Sequence, residues 1–282
     1  MRKLLTLIHF LSFCVYSYAQ TPTTSQNYIV EKTFRREYKA GATLTGKPVD
    51  SVNINIQYFD GLGRPIQTVQ WQASPTKKDI VQHIEYDGFG RESKKYLPYA
   101  ESTSNNGSYK TTSKTIQANF YSSGSITDVV RTSHPYAETI FENSPLNRVL
   151  QQGAPGTAWQ PVADRTQVLS TSTAGHTVVT EYGTNVSSGT EAVRLWSVNT
   201  NNTTSTGNYL AGKLYKTTIK DENWVLANGK AGTVDEYKDF EDRVVLKRVW
   251  ESESKKLDTY YIYDDFGDLR YVIPPGYPIA AT

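Results

Sequence analysis

The clearest pattern in the chain is strict alternation. From Asp50 to Tyr58, Val52, Ile54, Ile56 and Tyr58 share one face, and Ser51, Asn53, Asn55 and Gln57 share the other. That period of two is the mark of a strand with one buried side. Ile66 to Trp71 reads as the return strand after a short Asp-Gly turn, so 51–71 predicts a β-hairpin. Ile80–Tyr86 and Arg91–Leu97, stopped by Pro98, predict a second hairpin of the same design. Residues 28–30 open the first ordered piece, 32–38 fit a strand, and further strands are expected at 177–182 and 193–198. Two more hairpins pair 233–237 with 243–250 and 257–263 with 269–273. Residues 40–48, 101–112 and 199–208 are rich in Gly, Ser, Asn or Thr and are expected as loops, with 101–112 a surface insertion. Residues 116–120 fit a helix or a strand. A break at 158–164 suggests two regions, 28–160 and 161–282.

The hairpins share a turn phrase: an aromatic residue, Asp, Gly or Asp, Leu or Phe, Gly, Arg. Tyr86-Asp87-Gly88-Phe89-Gly90-Arg91 is the full form, and Phe59-Asp60-Gly61-Leu62-Gly63-Arg64 repeats it. Tyr263-Asp264-Asp265-Phe266-Gly267-Asp268 is a third copy. Tyr237 to Arg243 is a fourth without its glycine, and Phe141 to Arg148 a fifth with two extra residues. Asp caps its own turn through its carboxylate, and Gly supplies the positive φ a tight turn demands. Arg is placed to reach back to the Asp. An apolar residue at the tip asks for a neighbour, so Leu62, Phe89 and Phe266 are expected to be buried against adjacent hairpins, as in stacked repeats.

Composition sets the compartment. Arg2 and Lys3 precede an apolar run from Leu4 to Val15, and Ser17-Tyr18-Ala19 offers small residues before Gln20. This reads as a secretory signal peptide over 1–19, cleaved between Ala19 and Gln20. A mobile polar lead, 20–27, follows. The lone cysteine, Cys14, leaves with the signal, so packing rather than disulfides must hold the exported fold. Removing Arg2 and Lys3 leaves basic and acidic residues in balance. That argues against a nucleic-acid partner. No later segment is apolar enough to span a membrane. An extracellular or cell-surface location is expected.

Catalytic signatures are weak. Asp60, Asp87 and Asp264 recur at one place in each repeat, which marks turn capping rather than acid–base chemistry. Asp264 to Asp268 lacks the ligand spacing and terminal Glu of an EF-hand. Asp265-Phe266-Gly267 has none of the other kinase elements around it, and no helix follows Gly61-Leu62-Gly63. His83, His134 and His176 follow no metal spacing. No cofactor motif stands out, and no enzyme activity is expected. Trp71, Trp159, Trp196, Trp224 and Trp250 are spread over separate segments and read as core, with sugar stacking as the alternative.

The turn phrase resembles the YD-repeat, or Rhs-repeat, family, whose formula is roughly Tyr-Asp-x-x-Gly-Arg-Leu. Tyr28-Ile29-Val30, Tyr96-Leu97-Pro98-Tyr99, Ser144 to Leu150 with Gly153-Ala154-Pro155-Gly156, Lys220 to Trp224, and Tyr237 to Arg248 are similar to the N-terminal segment of secreted bacterial Rhs-type proteins. The function of that segment is not known. The resemblance implies a mainly β fold of antiparallel hairpins forming part of a spiralling β-sheet shell. In such proteins the shell encloses a C-terminal effector, which is absent from this chain. It implies a structural or interaction role, with further repeats of a longer Rhs-type chain or a neighbouring protein as partners. An extracellular carbohydrate-binding or adhesion module, with a cell-surface glycan as partner, is the alternative.

Overall fold

The structure, a computed structural model, describes residues 20–39, 41, 49–122, 128–199 and 202–277. The expected signal segment, including Ala19, lies outside them; Gln20 is within them and half-buried. The fold is mainly β, and every paired ladder is antiparallel.

The chain forms two compact units. The first holds the described residues up to Ile84 together with Pro98–Phe120. The second holds Glu85–Leu97 and the described residues from Tyr121 onward. The strands of the first unit are β1 (Asn27–Phe34), β2 (Val52–Phe59), β3 (Pro65–Gln70) and β4 (Ile80–His83). After β5 (Lys94–Tyr96), which belongs to the second unit, the chain returns with β6 (Tyr99–Ala100). They form a sheet in the order β1-β2-β3-β4-β6. The alternation in β2 does what it predicts, since Val52, Ile54, Ile56 and Tyr58 are all buried.

Segment 101–112 is not a surface insertion. Tyr58 Oη donates to the Gly107 carbonyl at 2.7 Å. The Gln67 amide brackets Lys110, accepting from its N–H at 2.8 Å and donating to its carbonyl at 3.0 Å. Asp79, with no exposed side-chain surface, accepts from Gly107 N–H and pairs with Lys110 Nζ at 3.4 Å. The glycine explains why so polar a stretch packs closely. Gly107 has φ +77, and a Cβ there would lie 2.5 Å from Ile56 Cδ1. The polar lead is likewise tied down: Thr21 N–H donates to the Asn106 carbonyl, and Thr23 N–H donates to Tyr58 Oη. Residues 116–120 fall within the helix α1 (Ser113–Ser122).

The second unit continues with β7 (Tyr136–Phe141), β8 (Val149–Gln152), β9 (Val178–Thr184), β10 (Arg194–Val198), β11 (Thr203–Asn208), β12 (Tyr215–Lys220), β13 (Val234–Lys238), β14 (Val244–Trp250), β15 (Lys256–Tyr263) and β16 (Leu269–Ile273). Its nine-stranded sheet runs β16-β15-β14-β13-β12-β9-β8-β7-β5, and β10 pairs with β11 in a small sheet of its own. The expected break at 158–164 lies inside this unit, because β8 and β9 on either side of it pair directly. The expected loop at 199–208 contains β11. Its Thr and Ser side chains bond across the pair, Thr203 Oγ1 to the Ser197 carbonyl at 3.0 Å, and being polar on both faces they leave no alternation to read. Trp196 of β10 meets Tyr260 of β15 edge-on at 5.7 Å. Val193, Leu214, Tyr237, Leu246, Tyr260 and Ile262 are buried in the core there.

The second predicted hairpin splits. β4 pairs with β3 and β6, whereas β5 pairs with β7. The change of partner is visible at Ser93: its N–H turns back to the Arg91 carbonyl, and its carbonyl accepts from Thr139 N–H.

Candidate interaction site

Each copy of the phrase builds one device. In the first unit, Gly63 N–H donates to the Asp60 carbonyl and Asp60 N–H to the Arg64 carbonyl, closing the turn. Asp60 Oδ1 accepts from the N–H groups of Leu62 and Arg64, both at 2.9 Å, and Oδ2 accepts from Arg64 Nε at 2.8 Å. Gly63 has φ +78.

The second unit repeats it. Asp87 accepts from Phe89, Arg91 and the Arg91 guanidinium, and Asp239 does the same for Glu241 and Arg243. Asp264 caps Phe266 and Asp268. Because Asp268 stands in the arginine position, Arg270 supplies the cation at 3.0 Å. The longer turn at 142–148 divides the task. Ser144 caps the tip, and Glu142, one methylene longer than Asp, reaches Arg148 at 2.6 Å. The left-handed position is Gly90 and Gly267 in two turns but Asn147 (φ 54) and Asp242 (φ 63) in the others.

In four of the turns these bonds favour the ionised carboxylate. Asp60, Asp87 and Asp264 lie below the usual aspartate value, chiefly because each accepts the backbone N–H four residues on. Glu142 is lowered to about 2 by the Arg148 guanidinium. Each capping carboxylate is therefore committed to its own turn.

The turns also connect. In an antiparallel meander every second connection falls at the same end, so the turns before β8, β14 and β16 share one end of the nine-stranded sheet. The turn at 87–91 joins them, since Arg91 Nη1 donates to Asn147 Oδ1 at 3.0 Å. Across three junctions the arginine of one turn covers an aromatic residue at or near the end of the next incoming strand. Arg91 lies 4.6 Å from the Phe141 ring centroid, Arg148 4.4 Å from Tyr182, and Arg243 5.2 Å from Tyr263. Continuing the strand registers to the turns places each arginine directly opposite its aromatic partner. Where the aromatic is a tyrosine, its hydroxyl donates to the carbonyl of the residue after the arginine, Val149 at 3.1 Å and Val244 at 3.2 Å. At the β12/β13 junction the aromatic is replaced by Lys238, which pairs with Asp242 instead.

The tips are not buried. Leu62 is 79%, Phe89 77% and Phe266 94% exposed. The reason is geometric: the tip residue is the outermost point of a turn whose strands are already paired. It is the arginine and the aromatic that link neighbours. Their pairing was hidden in the sequence because the partners are far apart along the chain and at unequal spacings.

The remaining sequence candidates stay dispersed. His83 bonds Ser113, His134 bonds Ser133, and His176 stacks on Trp159. Trp71, Trp224 and Trp250 are core and offer no open face to a sugar. Among the described residues, no group of three or more His, Cys, Asp or Glu converges on a metal position, and no helix is long and apolar enough to cross a membrane.

The family model described as a domain of unknown function (DUF6443) matches residues 30–173, just over half of the chain. The chain belongs to the DUF6443 family. The DUF6443 match takes in the turns at 60–64, 87–91 and 142–148, whereas those at 239–243 and 264–268 lie beyond it. No curated protein matches the chain.

Proposed function

We propose that this DUF6443 protein is a non-catalytic β-scaffold that works by extending its sheet to other strands. It would serve as an exported structural piece of an Rhs-type, YD-repeat shell. The observation that carries the reading is the repeated joint. The conspicuous Asp and Arg side chains, which in an enzyme would face a substrate, are spent on capping turns and linking consecutive hairpins. The edges of the large sheet differ in kind. β5 at one side is only three residues long, whereas β16 at the other has five residues, Leu-Arg-Tyr-Val-Ile, with a single charge. Natural sheets usually blunt an edge with short strands, lysine or proline. Sedimentation velocity over a wide concentration range tests the reading. Association that is lost in Val272→Lys, with the fold unchanged by circular dichroism, is expected. A protein that stays monomeric at high concentration would count against it.

A further inference from the structure

The joint between turns specifies what the open edge accepts. β5, β8 and β14 are each the strand leaving a phrase turn, and each is met by an antiparallel incoming strand, β7, β9 or β15, that carries an aromatic residue opposite the arginine position: Phe141 and Tyr263 at the ends of β7 and β15, Tyr182 two residues before the end of β9. β16 is also a strand leaving a phrase turn, and among the described residues it pairs only with β15. Its turn presents the same groups. Leu269 follows the arginine position as Val149 and Val244 do. Arg270 holds Asp264 Oδ2 at 3.0 Å, the task Arg243 performs for Asp239, while remaining 52% exposed. Leu269 and Val272 are half exposed beside it.

We propose that the β16 edge is a docking site for an antiparallel β-strand of another polypeptide that ends in an aromatic residue followed by aspartate. The proposal rests on the scaffold reading and sharpens it. The docking aromatic lies opposite Asp268, its ring meets the Arg270 guanidinium, and a tyrosine hydroxyl donates to the Leu269 carbonyl. Backbone pairing supplies affinity for any strand. The aromatic–arginine contact supplies the choice among strands, the usual division in strand addition, and a cation over an aromatic face is strong enough to set it. The aspartate is taken from the last joint, where Asp264 after Tyr263 closes the incoming strand's own turn; Glu142 and Gly183 stand at that place in the other two.

The test is a labelled hairpin peptide with the chain's own sequence from Lys256 to Ile273, titrated into the full protein by fluorescence anisotropy. The expected result is saturable binding that weakens about tenfold in the Tyr263→Leu peptide and less in the Tyr263→Phe peptide, by the scale of one cation–aromatic contact. In Arg270→Gln protein the Tyr and Leu peptides should bind alike. The substitutions at position 263 are in the peptide, so the fold of the protein is untouched. Equal binding of the Tyr and Leu peptides to the unsubstituted protein would overturn this proposal while leaving an edge that accepts strands without choice, and with it the scaffold reading. No binding of any peptide, in a protein that associates with itself through Val272, would overturn the proposal alone. No binding and no self-association would overturn both.

Discussion

At the scale of single residues, the phrase is a solution to one backbone problem. A tight turn leaves N–H groups without partners, and a carboxylate at its first position takes two of them while fixing an arginine. Asp239→Ala removes both caps and the Asp239–Arg243 pair, leaving the guanidinium with Glu241 and the Tyr263 ring. A lost cap of this kind costs about 1 kcal/mol, and thermal denaturation should show a lower midpoint for the variant. The position with positive φ gives a test of opposite sign. Asp242 sits at φ 63, where an L side chain is strained. Asp242→Gly should therefore raise the midpoint, even though it gives up an exposed pair with Lys238 worth little. A lower midpoint would show that the turn is not strained. The roles of Asp, Gly and Arg were legible because they are local and recur. The role of the tip was not, because Leu62, Phe89 and Phe266 carry apolar side chains into solvent, and nothing in a local pattern says which way a turn points.

At the scale of elements, linkage between hairpins sits in the arginine–aromatic joints and in a buried polar centre. Tyr263→Phe keeps the ring over Arg243 and loses the bond to the Val244 carbonyl. It should cost about 1 kcal/mol, with Tyr263→Leu costing more; equal effects would mean that the ring contact contributes nothing. Beneath β14, Arg248 is fully buried, forks onto Asp258 at 2.7 and 2.9 Å, and donates to the carbonyls of Glu191 and Ala192. Arg248→Leu leaves the Asp258 carboxylate with the weaker contacts to Lys256 at 3.5 Å and the Tyr260 hydroxyl at 3.4 Å, and should destabilise by about 3 kcal/mol. The double variant with Asp258→Leu should recover part of the loss, as denaturant titration of the pair would show. β2, β3 and the final two hairpins were readable from alternation or turn signals. Segment 101–112 and β11 were not, because their partners are polar: Gln67 and Asp79 in one case, Ser197 in the other. A pattern of hydrophobic positions cannot register a segment held by amides and carboxylates.

At the scale of the whole molecule, the turns share a dependence on pH. Asp60, Asp87, Asp264 and Glu142 are all more acidic in the folded chain than when unfolded. Their contribution is complete above the unfolded values of 3.8 and 4.5 and is lost as pH falls through the lowered ones, toward about 2 for Glu142. The melting temperature should hold level from pH 7 to about 5 and drop below about 4. A melting temperature unchanged down to pH 3 would contradict the capping account. The proposed scaffold role belongs to this scale too, since the turn side chains serve the sheet and, among the described residues, β16 pairs only with β15. Amide hydrogen exchange of Leu269–Ile273, compared at low and high protein concentration, tests that claim most directly. The account predicts that these amides, unlike those of β15, become slower to exchange as concentration rises. Exchange at β16 that is independent of concentration would contradict it.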